Sequence, residues 1–312
     1  MSLRLGVDLG GTKIEIVALE GEDTVLARRR VPTPQGDYAG TVRAIIGLVL
    51  ETESALGRRG TLGIGIPGAL SPATGLVRNA NSVCLIGQPL RDDLQAALQR
   101  EVRIENDANC FAVAEAQAGG VAEGVATVFG VILGTGVGGG LVVEGRVLRG
   151  ANAIAGEWGH NPLPLFAPAD APPGRPSREW PGEPCYCGHR GCLETWLSGP
   201  ALARLGGRSD RDAAAVVAAA RAGEPMAVAA MADYIDRLAR ALASVINLVD
   251  PQAIVLGGGL SQIARLYDEV PARWPRYVFA DSVGTRLLHN RLGDSAGVFG
   301  AARLWPAGAS IG

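Results

Sequence analysis

The sequence predicts an α/β protein built as a duplication, two similar halves facing one another across a cleft. Three observations carry this. A strand, a glycine turn and a second strand occur at Leu3–Leu19 and again at Ala126–Val143, about 125 residues apart. Each copy is followed further along by a helical stretch and a buried strand that ends in glycine. Glycine and proline, 44 and 19 of 312 residues, suit many tight strand–loop–helix joints better than a helical bundle. At about 150 residues per domain, two domains or one large one fit this length.

Taken in order, Leu3–Leu9 (LRLGVDL) is apolar and β-prone, and Gly10-Gly11-Thr12 turns it. Ile14–Leu19 alternates as a return strand, and Val25–Arg30 reads as a third. Tyr38–Leu56 places Val42, Ile45, Ile46, Val49 and Leu50 at helical spacing. Thr61–Ile66 is a buried strand ending at Pro67-Gly68, Leu90–Arg100 a helix, Val102–Glu105 a strand, and Asn109–Ala118 a helix. The second copy offers Ala126–Leu133 as a strand, Gly134–Gly140 as a glycine loop and Leu141–Val143 as the return. Helices follow near Arg211–Ala222 and Pro225–Leu248, then the strand Ala253–Leu256 before Gly257-Gly258-Gly259. The proline-rich stretch Pro162–Pro184 reads as an insertion. The expected division is 1–118, joined by a C-terminal helix 296–312, and 119–295, with an insertion at about 156–195.

Composition narrows the function. Lys plus Arg number 29 and Asp plus Glu 31, a net charge of −2, which shows neither a nucleic-acid footprint nor an acidic tail. An apolar fraction of 47% with 19% charged residues argues for a packed core. The uncharged run Gly124–Val143 could span a membrane by length, but its crowded glycines argue for strands and a loop. The first residues carry no apolar signal segment, so a soluble cytoplasmic protein is expected, with no membrane partner.

Several groups carry chemistry. Asp8-Leu9-Gly10-Gly11-Thr12-Lys13 follows a strand: bare backbone N–H groups, a hydroxyl and the chain's single Lys suit an anion, and Asp8 is placed to hold Mg²⁺. An ordinary hairpin turn with a paired Lys13 is the alternative. Gly134-Thr135-Gly136-Val137-Gly138-Gly139 matches G-x-G-x-x-G, but strands flank it where a dinucleotide fingerprint needs a helix. Two phosphate-type turns in duplicated halves fit one nucleotide better, with Gly257, Gly258 and Gly259 as a close-approach point for its nucleoside. Asp107, after Asn106 at a strand–helix junction, could take a proton from an alcohol or simply cap the helix. Glu157-Trp158-Gly159-His160 reads as a polar recognition loop. Cys185, Cys187 and Cys192 have C-x-C-x4-C spacing, with glycines that allow a tetrahedral site; a fourth ligand must come from His160, His189 or His289. Three reduced structural thiols are the alternative.

Together Asp8–Lys13, Gly63–Gly68 (GIGIPG), Glu105–Cys110 (ENDANC), Leu133–Gly140 (LGTGVGGG), Glu157–His160, Cys185–Thr195 (CYCGHRGCLET) and Ile254–Gly259 resemble the ROK family of sugar kinases. The resemblance covers essentially the whole chain and implies an actin/hexokinase-like (ribonuclease H-like) fold. Asn79–Ser82, Gly87-Gln88-Pro89, Glu157–Pro164 and Gly293-Asp294-Ser295 look most like bacterial fructokinases of the manno(fructo)kinase type. Val83, Cys84 and Ile86 depart from those fructokinases, which carry bulkier or more polar residues there. The resemblance implies ATP-dependent phosphorylation of a hexose 6-hydroxyl, with fructose as first expectation and N-acetylglucosamine, mannose or glucose as alternatives. A sugar-sensing ROK repressor is the non-catalytic alternative. It implies Asp107 as general base and Asn106, Glu157, His160 and Glu194 as sugar contacts, with Asn81 as a further one. Gly10–Lys13 and Gly134–Gly139 match the phosphate loops. His160, Cys185, Cys187 and Cys192 match structural Zn²⁺ ligands, leaving His189 a spectator. The family commonly forms homodimers.

Overall fold

The computed structural model describes residues 2–21, 23–166 and 179–309, so most of the proline-rich insertion lies outside the described residues. Contacts divide the chain into two compact units. The first takes 1–126, 140–155 and 291–312, and the second takes 127–139 and 156–290.

In the first unit the sequence alternation becomes five strands. β1 (Leu3–Leu9), β2 (Lys13–Glu20) and β3 (Thr24–Pro32) run antiparallel in succession, while β4 (Thr61–Ile66) and later β7 (Val102–Asn106) join β1 in parallel, giving the order β3-β2-β1-β4-β7. A short hairpin of β5 (Ala69–Leu70) and β6 (Val77–Arg78) follows β4. α1 (Tyr38–Leu56) matches its expected bounds because both ends are capped: Asp37 accepts from Gly40 N at 2.8 Å, and Gly57 ends the helix at φ 66°. α2 is Leu90–Leu98, and α3 (Asp107–Ala116) begins directly at the end of β7.

The second sheet has the order β10-β9-β8-β11-β12. Its strands are β8 (Thr127–Leu133), β9 (Val137–Val143), β10 (Arg146–Val147), β11 (Ala253–Gly257) and β12 (Arg286–His289). β8, β11 and β12 are parallel, so the order and directions of the first sheet recur. The helices between are α4 (Glu194–Leu197), α5 (Gly199–Leu205), α6 (Ala213–Arg221), α7 (Pro225–Val249) and α8 (Arg265–Glu269). No single helix among the described residues is long and apolar enough to cross a membrane.

Two expectations need correction. β9 starts at Val137, so only Gly134–Gly136 form a turn and Gly138–Gly140 are strand residues. Their missing side chains serve packing: the space beside Gly139 is taken by the Gly156 carbonyl and the Trp158 ring, each 2.7 Å from where a Cβ would stand. The C-terminal helix, α9 (Ala296–Ala302), also stops well before residue 312. Trp305 instead turns inward to donate from Nε1 to the Leu62 carbonyl at 2.8 Å, and Pro306 disfavours further helix.

α9 lies directly against β1, β4 and α3, backbone on backbone. A Cβ on Gly63 would collide with the Ala301 carbonyl, and one on Gly300 with the Cys110 carbonyl. This contact fixes the first turn of α3. Gly300→Ala should therefore destabilise by more than the 1–3 kcal/mol usual for overpacking. Gly47→Ala, in the middle of α1 with open space around it, should stabilise by about 0.5–1 kcal/mol. Urea unfolding of both variants checks the contrast.

Candidate active site

The first unit gathers its acidic residues at the carboxyl ends of parallel strands, where open α/β sheets bind ligands. Asp8 sits at the end of β1 and Asp107 at the junction of β7 and α3. Asn106, not Asp107, is the helix cap: its Oδ1 accepts from Ala108 N at 2.8 Å and its Nδ2 donates to the Gly68 carbonyl at 3.2 Å. Asp107 is the first helical residue, its Oδ1 also accepting from Ala108 N at 2.8 Å, so the helix N-terminus favours its charge. Burial of Asp8, then the charges of Asp107 and Glu15, push its carboxyl up from 3.8 to about 7, with Lys13 acting in the opposite direction. The like charge of Asp107 acts on Asp8 because the two residues share the space at this end of the sheet.

Backbone approach makes that space possible. Cβ atoms on Gly297 of α9 would lie 3.1–3.2 Å from the Asp8 carboxylate, and one on Gly65 of β4 3.6 Å from it. The Gly10–Lys13 turn beside Asp8 is closed by Gly10 N donating to Lys13 O at 2.9 Å. Thr33 braces it, donating from its hydroxyl to Gly10 O at 2.7 Å and from its amide to Thr12 O at 3.0 Å. Gly11 and Thr12 are exposed at the tip. Asn81 is exposed on the loop after β6, its amide donating to Pro67 O at 3.1 Å.

Sequence reasoning passed over Thr33 and Gly297, and quoted Glu105 within ENDANC without giving it a role. Glu105 is buried and holds Asn109 Nδ2 at 3.0 Å and Asn106 N at 3.1 Å, with Arg149 against its other oxygen. A carboxylate within a strand, at the head of the ENDANC segment, was the available signal for it. Gly297 gave none, because its role depends on where α9 packs.

In the second unit the Gly134–Gly136 turn is held by Gly134 N to Gly136 O at 3.0 Å and by Gly199 N to Gly134 O at 2.7 Å. Glu194 accepts from Val137 N at 3.0 Å through Oε2. Trp158 Nε1 donates to Gly138 O at 3.0 Å, bringing the Glu157–His160 loop onto β9. Gly258, at φ 78°, ends β11, and Ser261 bonds its carbonyl from the hydroxyl at 2.7 Å.

The cysteine segment pairs with the same loop: Leu193 N donates to Asn161 O at 2.8 Å and Leu163 N to Gly191 O at 3.0 Å. This sets His160 beside Cys185, Cys187 and Cys192, with all four ligand atoms within 4.8 Å of one another. Cys185 Sγ lies 3.6 Å from His160 Nδ1, and Cys187 Sγ 3.6 Å from Cys192 Sγ. A tetrahedral Zn²⁺ with ordinary bond lengths needs edges of about 3.5 Å for S···N and about 3.8 Å for S···S. The donor set therefore fits a structural Zn²⁺. His189 stands outside the four, its Nδ1 3.5 Å from Cys187 Sγ. Tyr186, which sequence reasoning did not single out, places its hydroxyl 3.0 Å from His160 Nε2.

Comparison with known proteins fits this geometry. The model of the ROK family matches residues 4–307. The chain is 41% identical over 302 residues to an N-acetyl-D-glucosamine kinase of Yersinia pseudotuberculosis (serotype O:1b), covering 96% of this chain and 97% of that one. It is 40% identical to a protein of the same name from Vibrio cholerae, covering 96% and 98%. Among solved structures, the ROK hexokinase from Thermus thermophilus superposes with a TM-score of 0.81 at 33% identity, covering 96% of each chain. A ROK family glucokinase from Streptomyces griseus, solved with glucose and AMPPNP, gives 0.74 at 29% identity, covering 97% and 99%. The fold is thus the actin/hexokinase-like two-domain α/β fold. These relatives carry the name of the alternative, N-acetylglucosamine kinase, and not that of the fructokinases to which Asn79–Ser82, Gly87-Gln88-Pro89, Glu157–Pro164 and Gly293-Asp294-Ser295 pointed. The chain belongs to the ROK family.

Proposed function

We propose that this sugar kinase transfers the γ-phosphoryl group of ATP to the 6-hydroxyl of N-acetyl-D-glucosamine. The observation that carries the substrate is the 41% identity, over 96% of the chain, to proteins named for that activity. Fructose, the first expectation from sequence, has no such support.

Phosphoryl transfer is largely positioning and neutralisation of charge. Asp107 is proposed to orient the attacking hydroxyl and accept its proton, its carboxylate supported by the N-terminus of α3. Asn81, Asn106, Glu157, His160 and Glu194 are proposed as sugar contacts. Asn106 spends its Oδ1 on the cap and one Nδ2 hydrogen on the Gly68 carbonyl, so the second Nδ2 hydrogen is the one available to a ligand. Thr12, Lys13 and the amides of Gly10 and Gly11 are proposed to meet phosphate oxygens, as are those of Gly134, Thr135 and Gly136. Gly138 and Gly139 belong to β9 and support the loop that carries Glu157. Gly257, Gly258 and Gly259 are proposed to pass under the nucleoside. Asp8, a half-buried carboxylate in a repulsive field, fits a divalent cation, and Mg²⁺ there would neutralise charge on the β- and γ-phosphates. The His160–Cys185–Cys187–Cys192 group fits Zn²⁺, which would stiffen the segment that carries Glu157 and Glu194.

An ADP-release assay across N-acetyl-D-glucosamine, glucose, mannose and fructose tests the substrate. The highest kcat/KM is expected for N-acetyl-D-glucosamine; a higher value for any other sugar rejects the assignment.

The Asp8 environment predicts a pH signature. A carboxyl whose folded pKa lies above its unfolded value binds its proton more tightly in the folded state. The substrate-free protein therefore loses stability from this group as pH rises from 3.8 to about 7. Asp8→Asn should melt higher than wild type at pH 8 without Mg²⁺ or nucleotide, show little difference near pH 4, and lose turnover. Parallel melting curves across this pH range would contradict the assignment.

A further inference from the structure

In the second unit, one carboxylate joins two parts of the proposed site that sequence treats as separate. Glu194 begins α4, two residues after Cys192. Its Oε2 accepts the Val137 amide at 3.0 Å, at the exit of the Gly134–Gly136 turn. Gly136 makes room for it, because a Cβ there would lie 2.6 Å from the same oxygen. The entry of the turn is braced from the same side by Gly199, which follows α4. The turn is therefore held at both ends by the segment that continues from the cysteine cluster.

A carboxylate offers two oxygens and about four acceptor positions. Among the described residues, the hydrogen bonds of Glu194 use Oε2. Oε1 can then receive a sugar hydroxyl while Oε2 keeps the amide.

We propose that Glu194 is a positioning residue for the nucleotide as well as a sugar contact, so that acceptor occupancy and order of the phosphate-binding turn are coupled through its two oxygens. The inference rests on the kinase reading above. Hydroxyl donation to Oε1 fixes the side chain, and a fixed side chain holds the Val137 amide and its turn in the binding conformation. Nucleotide then binds a turn whose ordering cost is already met. Coupling of this kind is reciprocal, so nucleotide must tighten sugar binding by the same factor.

The test has three arms on the full-length protein. Amide exchange at Val137 is measured without substrates: Glu194→Ala should exchange at least about tenfold faster than wild type, because a charge-assisted bond is lost. Glu194→Gln, whose amide oxygen can accept the same N–H, should stay near wild type. Calorimetry then gives the AMPPNP dissociation constant with and without N-acetyl-D-glucosamine. Wild type should tighten roughly five- to tenfold with sugar, and Glu194→Ala should show a factor near one. Finally Gly136→Ala, whose methyl displaces the carboxylate from the far side, should raise the KM for sugar, a change that a purely local phosphate-turn defect would not produce. If Glu194→Ala fails to fold, Gly136→Ala carries the comparison, its AMPPNP affinity expected to change by a factor near one on adding sugar, with Glu194→Gln as the near-wild-type control. Wild-type exchange at Val137 in Glu194→Ala, with only the sugar KM raised, overturns the proposal, as does an unchanged sugar KM in Gly136→Ala. If no hexose is phosphorylated, the kinase reading fails, while the exchange arm still decides whether Glu194 holds the turn.

Discussion

The constraint on which the first unit's chemistry depends is the crowding of negative charge at the ends of β1 and β7. Burial of Asp8 and then the nearby charge of Asp107 raise the cost of ionising Asp8. Nothing in folding rewards that arrangement, and under the proposed function a bound cation and substrate would relieve it. Destabilising groups held by a rigid surround are a mark of functional sites. The rigid surround here is glycine-mediated: α9 touches β1, β4 and α3 through their backbones, and Gly297 leaves the space that a Cβ would take from the Asp8 carboxylate.

The second unit works by a different principle. Its Gly134–Gly136 turn, its Glu157–His160 loop and its cysteine cluster are bound together by backbone hydrogen bonds and by two side chains, Trp158 and Glu194. A metal in the His160–Cys185–Cys187–Cys192 cluster would act at a distance, by holding the segment from which these side chains project. The same geometry explains why glycine occurs so densely at 134–140. Gly136 admits a carboxylate, and Gly139 admits a tryptophan ring and a carbonyl.

Much of this was legible in the residues. Local signals sufficed wherever periodicity and caps agreed, as in α1 between Asp37 and Gly57, or in the buried strands β1, β4 and β11. They failed where tertiary contacts decide. β12 is four residues long, and its pairing with β11 is what makes it a strand. α9 ends where Trp305 finds a buried carbonyl. The run Gly134–Gly140 looks like loop because glycine is a poor strand former, yet its latter half pairs in β9. Cysteine spacing announced the cluster but left His160, His189 and His289 open as the fourth ligand; the resemblance pointed to His160, and the pairing of residues 161–163 with 191–193 is what brings it there. Acceptor identity was least legible, since related sugars differ by one or two polar groups and the motif residues are shared chemistry.

The most direct measurement of the central claim is the turnover of Asp107→Ala beside its affinity for AMPPNP. With Asp107 as the base, kcat should fall by about 10²–10⁴ while the dissociation constant for the nucleotide stays within about threefold of wild type. A kcat within tenfold of wild type would contradict the account.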